Sequence, residues 1–372
     1  MFYRYTGNQQ FDLQINRLCF PFEGNEKVEE DLKLIVPQLK DISSWNKVWK
    51  EFALMREAKG DYALAASYFF GASFYLLEND TDRELIQEHR LQNFYRAYGD
   101  LGFERHEIPY DNTSLPAVTF MQPSAKKNLL IFGGYDSNLE ELILWFSPLR
   151  NNGYNLIIFD GPGQGNMLFK KEKSHFIMNF EKPVAAVLDY FSLDRVAALG
   201  LSWGGFFVMR AAAFEKRIEK IIALDIFYQG LDALTIAMNP VLAFIFKTLV
   251  NFKCKTWIDV LLTHAMTRDL DLNWKIKRGY QLTGTKTPYD LIQNIKKHNM
   301  KGLGPLINQE VLLLAGEKDQ YVPVKRLGQI KKELSNAAEI KTHLFTQESG
   351  GEQHCQAGSN LALLAIKDFL KI

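Results

Sequence analysis

Hydrophobic positions recur along this chain with two different periods, and the change between them divides it. Up to about Phe103 the spacing is helical. Trp45, Trp49, Phe52 and Met55 follow at steps of three and four, with Leu54 beside them. Lys59-Gly60-Asp61 then interrupts, and a second amphipathic run extends from Tyr62 to Leu77. The stretch from Ala58 to Tyr62, with Ala65, Phe69 and Ala72 downstream, looks like one helical-hairpin repeat of the tetratricopeptide kind. A solenoid needs about three such units, so a single copy predicts a hairpin packed on its neighbours. The aromatic run from Tyr68 to Tyr75 fits a core or interface better than a ligand cage.

Beyond His106 the pattern becomes short β-rich runs separated by helical ones. Strands are predicted at Leu115–Met121, Asn128–Phe132, Tyr154–Phe159, Val196–Leu201, Ile221–Ile226, Val311–Ala315 and Ile340–Phe345. Helices are predicted at Leu139–Arg150, Phe180–Phe191, Gly204–Glu215, Val324–Leu334 and Ser359–Leu370. Alternation of this kind predicts a mainly parallel, doubly wound α/β sheet, and the near-continuous apolar runs fit strands covered on both faces. The stretch 227–309 is far too long for a simple crossover and helical in pattern, which predicts an inserted cap. Its Phe244, Phe246, Trp257, Met266, Trp274 and Tyr280 are expected to form mostly the cap's own core, with some lining a substrate pocket. The expected organisation is a helical region over 1–105, an α/β core over 106–226 and 310–372, and the cap over 227–309.

Chemistry concentrates where Gly200-Leu-Ser202-Trp203-Gly204-Gly205 follows one predicted strand and opens a helix. This is the pattern of a nucleophile elbow. The turn is too tight for side chains at the flanking positions, and the serine is forced into a strained backbone conformation that exposes its Oγ above the sheet. A serine at its ordinary pKa is a poor nucleophile, so a base and an orienting acid are required later in the chain. Asp319 sits in the turn just past the strand Val311–Ala315; Glu317 and Asp225 are rivals. Of the seven histidines (His89, His106, His175, His264, His298, His343 and His354), His354 lies in a loop beyond the last strand, from which an imidazole can swing over the nucleophile. His343 lies within that strand. Cys355 beside His354 reads as a small neighbour. Oxyanion donors are expected from the backbone N–H groups of Trp203 and Tyr135, the latter after the glycine pair Gly133-Gly134. Two other glycine-rich runs, Asp160-Gly-Pro-Gly-Gln-Gly165 and Gly279 to Lys286, have the wrong spacing for a dinucleotide or phosphate loop and read as turns. No cofactor is expected, and no metal is implied, since no histidine pair has zincin spacing.

Composition narrows the partners. The 372 residues carry 44 basic and 43 acidic side chains, a formal charge of +1, so no overall field draws the chain to nucleic acid or an anionic membrane. A small or neutral substrate is expected. Three scattered cysteines build neither a disulfide framework nor a metal site, and no signal peptide or membrane span is evident, which fits a cytoplasmic protein.

Gly200-Leu-Ser-Trp-Gly204, Asp319 and His354, in the order Ser, Asp, His, resemble the α/β-hydrolase superfamily. Gly133-Gly-Tyr-Asp136, the run Phe159 to Gly165 and the helical N-terminal region resemble the branch that contains dihydroxypseudooxynicotine hydrolase and fungal hydrolases that shorten pigment polyketides. The resemblance implies an N-terminal segment and cap that close over the active site, frequent homodimers, and hydrolysis of a carbon–carbon bond next to a ketone or of an ester or acyl-peptide bond. Asn166 departs from the Glu that relatives often carry after Gly-Gln-Gly.

Overall fold

The computed structural model describes residues 2–150, 153–172, 174–352, 354–356 and 360–372. Ser359, the expected first residue of the last helix, lies outside the described residues. The chain forms two compact units, Phe2–Phe103 and Glu104–Ile372.

The first unit is five helices: α1 (Gln9–Cys19), α2 (Glu26–Ile35), α3 (Ile42–Ala58), α4 (Tyr62–Ser73) and α5 (Arg83–Tyr98). A capping box, Asp41 with Ser44, starts α3, and Gly60 at φ 76° turns the chain into α4. The core is aromatic. Trp45 and Trp49 are fully buried, and the Trp45 indole N–H donates to the Gly71 carbonyl. Below them the buried Arg56 grips Asp31 through two bonds of 2.7 and 2.8 Å, and Tyr68 donates to the same carboxylate at 2.8 Å. This pairing satisfies charges that burial alone would make costly.

The second unit opens with an antiparallel hairpin, β1 (Glu104–Tyr110) and β2 (Thr113–Phe120). It continues through β3 (Lys127–Phe132), α6 (Leu139–Phe146), β4 (Tyr154–Phe159), α7 (Glu181–Tyr190), β5 (Val196–Leu201), α8 (Gly204–Phe214) and β6 (Ile218–Leu224). Helices α9 (Asp232–Thr235), α10 (Pro240–Asn251), α11 (Lys255–Met266), α12 (Leu270–Thr283) and α13 (Pro288–Ile295) intervene before β7 (Glu310–Gly316), α14 (Lys325–Glu333), β8 (Glu339–Phe345) and α15 (Asn360–Leu370). The eight strands form one sheet in the order β1-β2-β4-β3-β5-β6-β7-β8, parallel from β4 to β8. β4 and β5 are buried at every position, as expected of strands covered on both faces. No described helix is long and apolar enough to cross a membrane.

Two expectations are corrected here. β1 was not anticipated: only Ile108 of its seven residues is buried, so this edge strand carries almost no hydrophobic signal. Within α10–α13, Phe246 and Trp274 are buried as expected of core, but Phe244 is 72% and Trp257 66% exposed. Val241, Leu242, Phe252 and Val260 are also exposed, so α10 and α11 carry apolar residues on more than their packed side.

Candidate active site

The end of β5 fixes the centre of the site. Ser202 has φ 59°, a left-handed conformation that a non-glycine residue adopts only under constraint. Its flanks explain the glycines. A Cβ on Gly200 would stand 1.9 Å from the Gly204 carbonyl oxygen, and one on Gly205 would stand 1.9 Å from the Asp225 carbonyl oxygen. The turn brings Ser202 Oγ to 2.8 Å from His354 Nε2, and His354 Nδ1 to 2.7 Å from Asp319 Oδ2. The site is more enclosed than expected from an exposed elbow, for Ser202 is only 7% exposed. Gln353, in the loop that carries His354, lies outside the described residues.

Asp319 is held from both sides. Its Oδ1 accepts the backbone N–H groups of Tyr321 and Val322 at 2.7 and 2.8 Å, leaving Oδ2 for the imidazole. Burial opposes its charge, but His354, a hydrogen bond with the Asp225 carboxyl and the Tyr321 N–H outweigh that and hold the carboxyl down to about 2. The Tyr321 ring meets the His354 ring edge-on at 4.8 Å and limits its rotation. Glu317 takes no part in this relay; its carboxylate accepts the Gln347 N–H. His343 lies on β8 with its ring tilted against Phe345, and Ser202 is partnered by His354 instead. Cys355, at φ 64°, turns its thiol toward Ser202. Burial, then the charges of Asp225 and Asp319, push that thiol well above its ordinary pKa, so it stays protonated.

The Gly133-Gly134 turn at the end of β3 presses on the elbow. A Cβ on Gly134 would lie 2.6 Å from the Trp203 N and 3.0 Å from Ser202 Cβ. Among the described residues no protein acceptor takes the N–H of Trp203 or of Tyr135. Two backbone donors without protein acceptors therefore stand beside the Ser202 hydroxyl. Above the turn the Tyr135 ring stacks on Trp203 at 5.4 Å, Trp203 stacks on Phe227 at 4.4 Å, and the Tyr135 hydroxyl donates to the Lys275 carbonyl on α12.

The region matching the α/β-hydrolase fold family spans residues 128–345, more than half of the chain. The chain belongs to the α/β-hydrolase family. It is 31% identical over 256 residues to the α/β-hydrolase gkaG of Penicillium citrinum, which covers 59% of this chain and 60% of that relative. The chain thus spans about 60% of that relative's length. The solved structure of AbyA5 superposes with a TM-score of 0.70 at 16% identity, covering 96% of this chain and 93% of its own. That of 2,6-dihydroxy-pseudo-oxynicotine hydrolase gives 0.57 at 19%, covering 89% and 85%. The likeness to fungal hydrolases expected from the motifs is met by gkaG, and the 2,6-dihydroxy-pseudo-oxynicotine hydrolase shares the fold.

In this α/β-hydrolase one residue set aside as part of a mere turn stands under the oxyanion-type donors. Gln164 of the Asp160-Gly-Pro-Gly-Gln-Gly165 run donates from Nε2 to the carbonyls of Gly133 (2.7 Å) and Gly134 (3.2 Å), and its Oε1 accepts the Gly161 N–H at 2.8 Å. It thereby fixes the peptide planes that aim the Tyr135 N–H. Gln164→Ala is expected to lower kcat by about tenfold or more with little change in KM, because misaligned donors weaken transition-state binding first. Steady-state kinetics on the folded variant measure this; a rise in KM alone would assign Gln164 to substrate binding instead.

His298 is the second residue that sequence reasoning left unplaced. The Trp203 indole N–H donates to its Nδ1 at 2.8 Å, and its ring stacks on Phe206 and Phe176. Burial, reinforced by the Lys297 charge, lowers its pKa from 6.5 to about 3, so it is neutral. The folded value lies below the unfolded one, hence the unfolded chain binds the extra proton between these limits. Stability is expected to fall as pH drops below 6.5, by up to about 1.4 kcal/mol per pH unit from this group. Urea midpoints between pH 7 and 5 for wild type and His298→Gln test it: the variant is expected to show a shallower slope, and equal slopes would contradict the assignment.

Proposed function

We propose that this chain is a serine hydrolase that cleaves an ester, amide or other acyl bond of a small apolar or aromatic substrate. The observation that carries this reading is the continuous relay from Asp319 through His354 to Ser202, with contacts of 2.7 and 2.8 Å, beside two backbone donors without protein acceptors. In the proposed cycle Ser202 Oγ attacks the carbonyl carbon while His354 Nε2 takes its proton. Asp319 keeps the ring in the tautomer that can accept it and stabilises the resulting imidazolium. The Trp203 and Tyr135 amides hold the oxyanion, each worth about two to three orders of magnitude in rate. His354 then protonates the leaving group, and water, activated by the same ring, releases the acid from the acyl-enzyme.

The aromatic surroundings of the elbow (Tyr135, Trp203, Phe227) favour an apolar or aromatic acyl group over a charged one. A segment of helices between β6 and β7 that contributes the Lys275 contact to Tyr135 is proposed as the cap. The three cysteines are unpaired, consistent with the reducing interior of a cell. The test is a panel of short aryl esters, acyl-aminoacyl amides and aryl diketones under pre-steady-state conditions. The expected result is a burst of alcohol stoichiometric with enzyme on the aryl esters. Absence of turnover across the whole panel by folded protein would refute the acyl-enzyme reading, and diketone cleavage alone would redirect it to carbon–carbon hydrolysis with the same three residues.

A further inference from the structure

We propose that Asp225 is a positioning residue for His354, a second carboxyl behind Asp319 that accepts the imidazole Nδ1–H when Asp319 is taken away. This inference rests on the serine-hydrolase reading above.

The carboxyl is built into the elbow. β6 ends at Leu224, whose carbonyl accepts the Ser202 N–H at 2.6 Å, and the next carbonyl, that of Asp225, presses on Gly205. The backbone of Asp225 is therefore locked to the turn that presents Ser202. The residue is 1% exposed, and Oδ1 accepts the Ile226 N–H at 2.6 Å. Oδ2 accepts no N–H donor and stands 3.5 Å from His354 Nδ1, against 2.7 Å for Asp319, while the Asp225 carboxyl itself lies within hydrogen-bond reach of Asp319. One imidazole edge thus faces two carboxyls at unequal distance.

Two carboxylates so placed cannot both carry charge cheaply in a buried site. Asp319 has the nearer contact and two backbone donors, so it keeps the charge. Burial, then the Asp319 charge beside it, holds Asp225 well above the usual carboxylate range, hence protonated and silent while Asp319 is present. Removing the Asp319 carboxylate removes both the repulsion and the competitor. Asp225 then ionises and closes the remaining 0.8 Å, the difference between 3.5 and 2.7 Å.

A double-mutant cycle tests this. Asp225→Asn, which keeps the size and a donor toward Asp319, is expected to cost less than about tenfold in kcat on its own. Asp319→Ala is expected to cost about a hundredfold, and the double variant about ten-thousandfold, so that Asp225→Asn is far more damaging in the Asp319→Ala background. A purely structural Asp225 would cost the same factor in both backgrounds, and that result overturns the proposal. A second readout needs no turnover: the low-field proton resonance of His354 Nδ1–H is expected to persist in Asp319→Ala and to vanish in the double variant. Its loss in Asp319→Ala alone would also overturn the proposal, and would decide the matter if Asp225→Asn failed to fold. Failure of Ser202 to react with a fluorophosphonate would sink the hydrolase reading instead, while the resonance still reports on Asp225.

Discussion

Ser202→Ala is expected to lower kcat by about five to six orders of magnitude while the protein remains folded with nearly the wild-type melting temperature. The size follows from the relay. Without Oγ the imidazole has no nucleophile to activate, and the residual rate comes only from binding and the backbone donors. The fold should tolerate the change because Oγ has His354 as its hydrogen-bond partner and the methyl of alanine fits the same left-handed position at similar strain. Rates on the best ester of the panel, with circular dichroism melts of both proteins, measure it. A loss below about tenfold would remove Ser202 from the chemistry.

Asp319→Asn is expected to be the next most damaging change, at about four orders of magnitude in kcat. The geometry forces this. Oδ1 accepts the N–H groups of Tyr321 and Val322, so the asparagine carbonyl must occupy that place and its NH2 must face His354 Nδ1. An amide donor there makes Nδ1 the acceptor and leaves the proton on Nε2, where it blocks uptake of the serine proton. The same amide shields the ring from Asp225, so Asp319→Asn is expected to be worse than Asp319→Ala. This order is opposite to that expected if the side chain mattered only for its size. kcat for the two variants checks it, and a more active Asn variant would contradict the tautomer account.

Much of this site was legible in the sequence because its elements are demanded locally. Gly200, Gly204 and Gly205 flank Ser202 because a side chain at Gly200 or Gly205 would strike backbone oxygen at 1.9 Å, and such steric demands leave a mark in a short motif. Asp319 and His354 were readable from their places after β7 and β8, since loops at that end of a parallel sheet converge on the elbow. What was not legible depends on contacts between distant segments. Gln164 looks like part of a glycine turn until its amide is seen reaching back to Gly133, and no spacing rule encodes that contact. Asp225 reads as a strand-end carboxyl because its distance to His354 is set by the separation of the sheet from a loop well over a hundred positions later in the chain. β1 escaped notice because an edge strand with one buried residue lacks the alternation that marks a half-buried one. Phe244 and Trp257 show the converse: helical periodicity places them on a face, but it does not say whether anything covers that face.

Reaction with a fluorophosphonate, followed by intact-mass measurement and peptide mapping, tests the central claim most directly, since the probe needs an activated serine and no knowledge of the substrate. Wild type is predicted to gain one adduct, located on Ser202, with none on Ser202→Ala and far slower labelling of Asp319→Asn. Folded wild type that stays unmodified, or an adduct that persists in Ser202→Ala, would contradict the account.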